Sequence, residues 1–280
     1  MCDTCGCNIT HGNEYLIQAD GKHSHTHSGR ESVEVLQNLL SENDHQAAHN
    51  RNHFDAHQVL AVNLMSSPGA GKTTLLESTI DLIGDEFSIA VIEGDLETEN
   101  DAQRIRAKNI PAVQITTGTA CHLDAHMVHS ALHQIELESV DIVFIENVGN
   151  LVCPASFDLG QHQNVILLSV PEGDDKPAKY PVMFRAADLV LITKNELLPY
   201  FDDFDPQRAE RYVRELANPA PTLSLSAKQN MGMDRWIEWL KQQVSEQKKR
   251  VRQGRSSHPK IQPDGVQLHS HSHHQDHELL

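Results

Sequence analysis

Between residues 59 and 244, short apolar runs alternate with amphipathic stretches, the pattern of βαβ units wound around a parallel sheet. The apolar runs predict strands over residues 60–65, 88–93, 112–116, 141–147, 165–170, 189–193 and 222–226. Apolar positions at helical spacing predict helices over 72–83, 99–108, 123–137, 206–216 and 233–247. The expected fold class is α/β: a mostly parallel, doubly wound sheet sandwiched by helices, with right-handed crossovers.

The flanking sequence reads differently. Residues 1–57 are polar, with one short helix predicted over 32–40, where Val33, Leu36, Leu39 and Leu40 share a face. Past residue 247 the chain turns basic (KKRVRQGR) and ends in HSHSHHQDHE, with little apolar content to order it. The expected organisation is a flexible Cys- and His-rich region at 1–57, a folded domain at 58–247 and a disordered tail at 248–280.

Composition narrows the partners. The 280 residues carry 23 Lys and Arg against 39 Asp and Glu, a net charge of −16. That balance repels nucleic acid and anionic membranes, so neither is an expected partner. No apolar run reaches the ~20 residues a membrane span needs, and a signal pattern is missing at the start, so the expected setting is the cytoplasm. The five cysteines are expected there as thiols, and clustered thiols beside 19 histidines point to metal chemistry.

The first strand runs into SSPGAGKTTLLEST, which opens the first helix of the domain. In that context Gly69, Ala70, Gly71, Lys72, Thr73 and Thr74 form a Walker A loop: glycines let backbone N–H groups turn onto phosphates, Lys72 reaches the β/γ oxygens, and Thr73 ligates Mg²⁺. Ser66 occupies the first glycine position of the motif. EGDLETENDA follows the second strand and FIENVGN the fourth, so Asp95 and Glu146 are the expected Mg²⁺ and water-orienting carboxylates, with Lys72 the third catalytic group. Taken singly, each acid has a solvated strand end as its lesser alternative. LITKNELLPY places Lys194 and Glu196 where a guanine-reading motif has Lys and Asp, with Thr193 in place of Asn. Ser226, Ala227 and Lys228 match its S-A-K companion. GTP is the expected nucleotide, with ATP the alternative.

Two groups of metal ligands stand out. MCDTCGCN offers Cys2, Cys5 and Cys7 as soft thiolates that suit Ni²⁺, although Zn²⁺ and Cu⁺ bind thiolates as well. Cys121 and His122 end the third strand's loop, while Cys153 follows the fourth strand in NLVCP, so neighbouring strands bring the three together. The bland alternatives are a redox pair at the front and unrelated buried thiols in the domain. His126, His129 and His133 share one helical face and read as a solvent-facing stripe, with an accessory metal relay as the competing reading.

Together, MCDTCGC, SSPGAGKTT, GDLETENDA, TGTACHLDA and ENVGNLVCP resemble, in order, the hydrogenase nickel-incorporation GTPase family, HypB. The resemblance implies a P-loop NTPase fold of the signal-recognition/MinD-like class, slow GTP hydrolysis and a GTP-dependent homodimer. It implies nickel delivery during [NiFe]-hydrogenase maturation, with the hydrogenase large subunit and a HypA-type nickel-insertion protein as partners. On it, Cys2, Cys5 and Cys7 would be a high-affinity nickel site, and Cys121, His122 and Cys153 a Ni²⁺ or Zn²⁺ site near the dimer interface. His23, His25 and His27, with His269, His271, His273, His274 and His277, would resemble the nickel-buffering stretches of some members; a solvated polar tail is the alternative. The rival functions are nickel storage with secondary hydrolysis, a related GTPase serving another nickel enzyme such as urease, or a partition-type ATPase.

Overall fold

Runs such as LAVNLMS and QNVILLS show no polar alternation, as a strand covered on both faces requires. In the computed structural model, which describes residues 28–95, 100–118, 120–256 and 259, these runs form a seven-stranded parallel sheet. The strands are β1 (Leu60–Ser66), β2 (Ile89–Asp95), β3 (Ala112–Thr116), β4 (Ile142–Glu146), β5 (Gln163–Ser169), β6 (Leu189–Thr193) and β7 (Thr222–Ser224), in spatial order β3-β2-β4-β1-β5-β6-β7. The helices are α1 (Ser28–Ala56), α2 (Lys72–Ile83), α3 (Asn100–Arg106), α4 (Ala125–Leu132), α5 (Lys176–Lys179), α6 (Pro181–Arg185), α7 (Pro206–Glu215) and α8 (Met233–Arg252). The α/β class is as expected.

The bounds of α2, β3 and β6 coincide with those predicted, and other ends differ for local reasons. Helix α4 stops at Leu132 because the Gln134 and Ile135 amides tighten onto Ala131 and Leu132. Helix α8 continues to Arg252, so KKRVR closes a helix before any tail. Its basic last turn suits the negative end of the helix dipole, and Lys248 pairs with Asp141 at 2.5 Å. The short helices α5 and α6 each begin at or beside a proline and carry too few residues to show a period.

The larger difference is α1, a helix over Ser28–Ala56 in place of the short one predicted at 32–40. Ala47 and Phe54 are fully buried, and Phe54 packs with Val59, Leu123, Val128 and Val143 on one face of the sheet. Polar residues hold the rest. Asn50 donates to the carbonyls of Ala125 and Leu159 at 2.8 and 3.1 Å, and Arg51 meets both oxygens of Asp158 at 2.7 Å. The packed body therefore begins well before residue 58. A helix anchored by buried Asn and Arg shows little hydrophobic period, which hid it from the pattern of apolar positions. Phe54→Ala is expected to cost about 3–5 kcal/mol in urea unfolding, a loss that truncating a solvated linker residue would not produce.

Candidate nucleotide and metal site

The phosphate loop joins β1 to α2, and its conformation rests on two glycines in the left-handed region, Gly69 at φ 74° and Gly71 at φ 99°. A Cβ at either would meet nothing within 4 Å, so the loop wraps open space. Lys72 and Thr73, both buried, begin α2. The Lys72 ammonium donates to the Ser66 hydroxyl at 3.2 Å, so the serine in the glycine position helps aim the lysine.

Three carboxylates meet beside Thr73. Strand β4 lies between β1 and β2, in a register that sets Glu146 opposite Leu64 on one side and Glu93 on the other. The Thr73 hydroxyl donates to Glu146 at 2.9 Å. Carboxylate oxygens of Glu93, Asp101 and Glu146 all lie within 4.8 Å of one another. Burial first, then the Glu146 and Asp101 charges, pushes the Glu93 carboxyl well above the usual range. Burial raises Glu146 as well, against the pull of Lys72 and the Thr73 hydrogen bond. One oxygen of each, Glu93 Oε2 and Glu146 Oε2, is buried without a hydrogen-bond partner. Unsatisfied buried acids in an all-oxygen set fit a hard divalent cation. Sequence spacing does not single out Glu93 or Asp101; Asp95, half-buried at the end of β2, lies outside this group.

The loops after β6 and β7 reach the same edge. The Thr193 hydroxyl donates to the Ala70 carbonyl at 2.7 Å, so Thr193 ties the phosphate loop to β6. Lys194 takes a left-handed turn at φ 58°, and the Asn195 amide donates to Leu225, joining this loop to the one carrying Ser226, Ala227 and Lys228. Ser78 of α2 donates to the Ala227 carbonyl at 3.1 Å. Glu196 keeps one buried carboxylate oxygen, Oε2, without a partner. Thr74 and Lys194 are half-buried, and Lys228 is exposed.

The domain thiols also converge. Cys121 Sγ lies 3.0 Å from Cys153 Sγ and 3.7 Å from His122 Nδ1, and the two thiols are not joined as a disulfide. His122 is buried and stacked on Phe157 at 4.0 Å, and burial lowers its pKa, favouring the neutral ligand form. Asn147 and Asn150 staple the two loops together. Asn147 Oδ1 accepts from the Leu123 amide at 3.2 Å, and Asn150 donates to the Cys121 carbonyl at 3.2 Å. Both lie in the ENVGN motif, where only their contacts reveal the role. Cys2, Cys5 and Cys7, with the two terminal histidine tracts, lie outside the described residues.

Nucleotide loop and thiols share one segment. From Glu146, bonded to Thr73, the chain passes Gly149 and reaches Cys153 seven residues on. A Cβ on Gly149 would stand 2.8 Å from Pro68 Cα, so this segment presses on the phosphate loop.

A glycine-built phosphate loop between a parallel strand and a helix, flanked by acidic strand ends, defines a nucleotide-binding P-loop protein. The model of the CobW/HypB/UreG nucleotide-binding domain matches residues 60–224, and the chain belongs to that family. It is 51% identical over 211 residues to a hydrogenase maturation factor HypB of Azotobacter chroococcum, spanning 75% of this chain and 69% of that protein. It is 49% identical over 223 residues to the HypB of Escherichia coli K12, spanning 80% and 77%. Among solved structures, HypB from Helicobacter pylori in complex with nickel aligns at a TM-score of 0.70 and 42% identity, over 73% of this chain and 96% of that one. HypB from Archaeoglobus fulgidus aligns at 0.69 and 38%, over 73% and 100%.

Two substitutions test this geometry. Thr193→Val removes the tie to Ala70 and is expected to cost about 1 kcal/mol in urea unfolding and to weaken nucleotide binding. For Glu93, the folded chain keeps a proton that an unfolded carboxyl near pKa 4.3 releases, so its contribution to stability falls as pH rises above about 5. Glu93→Gln is expected to flatten that decline in unfolding midpoints measured from pH 5 to 9.

Proposed function

We propose that this chain is a slow GTPase that delivers Ni²⁺ during [NiFe]-hydrogenase maturation, acting as a nucleotide-dependent homodimer in the cytoplasm. The observation that carries the reading is the segment from Glu146 to Cys153, which touches the phosphate loop at one end and holds a thiol of the metal cluster at the other. Resemblance to proteins named hydrogenase maturation factors supports the client, and a nickel-bound relative supports the cargo. By the same resemblance the partners are the hydrogenase large subunit and a HypA-type protein. Among the described residues no helix is long and apolar enough to cross a membrane.

The roles follow from the chemistry of each group. Gly69 to Thr74 and Lys72 cradle the phosphates. Thr73, Glu93, Asp101 and Glu146 would hold Mg²⁺, which neutralises charge on the phosphates when bound. Glu146, with Asp95 at the neighbouring strand end, orients the attacking water. Glu196, with its unpartnered oxygen, accepts from the guanine N1 and N2 groups, and Lys194 and the Ser226 to Lys228 loop close around the base. Cys121, His122 and Cys153 hold Ni²⁺ or its competitor Zn²⁺, with a fourth ligand from water or a second subunit. Cys2, Cys5 and Cys7 form a separate nickel site.

Coupling runs both ways, because whatever nucleotide does to nickel affinity, nickel does equally to nucleotide affinity. In a full-length Cys2, Cys5 and Cys7→Ser variant, nickel affinity with GDP and with a non-hydrolysable GTP analogue is expected to differ about fivefold or more. Equal affinities would overturn the coupling. Competition binding is expected to favour GTP over ATP, with Glu196→Ala losing most of that preference. Cells carrying Cys121→Ser and Cys153→Ser are expected to mature hydrogenase more slowly on nickel-poor medium, and maturation at the normal rate would count against delivery through this cluster.

A further inference from the structure

Helices α1 and α4 each present two histidines one turn apart, and the pairs face each other. His49 and His53 belong to α1; His129 lies in α4 and His133 at its C-terminal cap. Spacing of i, i+4 puts each pair on one face of its helix. Ring centroids are 4.7 Å apart for His49 and His53, 4.9 Å for His49 and His129, 5.9 Å for His53 and His129, and 4.6 Å for His129 and His133. The stripe that sequence spacing assigns to solvent is therefore partly covered by α1. His49 and His133 remain exposed, His53 and His129 half-buried.

Hydrogen bonding sets the tautomer of one ring. The Asn50 amide nitrogen donates to the Ala125 and Leu159 carbonyls, which forces its Oδ1 to face His129 Nδ1 at 3.1 Å. An amide oxygen only accepts, so His129 Nδ1 carries the proton and Nε2 is left with a lone pair. That Nε2 lies 3.2 Å from Nε2 of His133. A cation ~2.1 Å from each nitrogen would see them about 100° apart, a bite that tetrahedral and tetragonal ions both accept. An outer residue that fixes the tautomer of an imidazole is the usual support of a metal-binding histidine. Here that residue, Asn50, is fully buried. Burial, then neighbouring imidazoles, also holds His53 and His129 below the ordinary histidine value. A cleft of about 580 Å³ lined by Glu42, His45, His49 and His126 lies alongside.

We propose that His129 and His133, whose Nε2 atoms already converge, form a further cation site with His49 and His53, whose rings turn toward the same ion: an imidazole clamp between α1 and α4 for a divalent ion of the nickel, copper and zinc group. The site contains no thiolate and stands apart from the nucleotide cluster. Its loading fastens α1 to the domain. The inference does not rest on the function proposed above.

The test uses the full chain with Cys2, Cys5, Cys7, Cys121 and Cys153 changed to Ser, with Ni²⁺ or Zn²⁺ added alone. Bound ions are counted after dialysis, and amide hydrogen exchange is followed across residues 43–56. The metal is expected to slow exchange in α1 about tenfold. His129→Gln/His133→Gln and His49→Gln/His53→Gln are each expected to lose one bound ion and that protection, with nucleotide affinity unchanged. Ion counts and α1 exchange that match the parent in both variants would overturn the site. Bound ions with no change in α1 exchange would place them in the terminal histidine tracts and would overturn it equally. Should the cysteine-free chain fold poorly, the same exchange experiment on the unaltered chain decides the matter, because the protection is read at α1.

Discussion

Strand β4, inserted between β1 and β2, is the constraint from which the site follows. Parallel pairing fixes Glu146 opposite Leu64, at the root of the phosphate loop, and opposite Glu93 on the far side. Two carboxylates are thereby buried side by side, an arrangement that repels itself unless protons or a cation intervene. The Thr73 hydroxyl and the Lys72 charge offset part of that cost for Glu146. What remains is a carboxylate pair suited to a divalent ion and fixed by strand pairing, with Asp101 of α3 beside it.

The same register explains how phosphate and thiol chemistry come to share parts. Parallel strands deliver the loops after β1, β2, β3 and β4 to one edge of the sheet. Asn147 and Asn150 then join the loop after β4 to the loop of Cys121 and His122, while Gly149 allows the first of these loops to press on Pro68. On the side of β2, the Asp95 carbonyl accepts from the Thr117 amide at 2.9 Å, so the strand end near the carboxylates also steers the chain toward Cys121. Hydrogen-bonded connections only a few residues long thus join the carboxylate loops to the thiol loop.

Helix α1 packs on one face of the sheet, alongside α4. Its anchors are Asn50, Arg51 and Phe54, and of these only the last is apolar. Asn50 has two duties, since its amide nitrogen docks the helix on Ala125 and Leu159 while its oxygen orients His129. The residue that docks α1 thus also sets the hydrogen bonding of His129.

What the sequence determined by itself is local. Gly69, Gly71, Lys72 and Thr73 had to form a phosphate loop because only glycine adopts those backbone angles freely, and the apolar runs had to be buried strands. That Cys121, His122 and Cys153 offer soft donor atoms was legible for the same reason, since side-chain chemistry belongs to the residue; their convergence is a matter of the fold. What only the tertiary structure decided is proximity across strands and helices. Glu93 joins Glu146 through register, Thr193 ties β6 to the phosphate loop at Ala70, and α1 packs through buried polar groups that carry no hydrophobic period. The apolar pattern records which residues avoid water; register and docking record which of them meet, and that depends on the whole sheet being assembled.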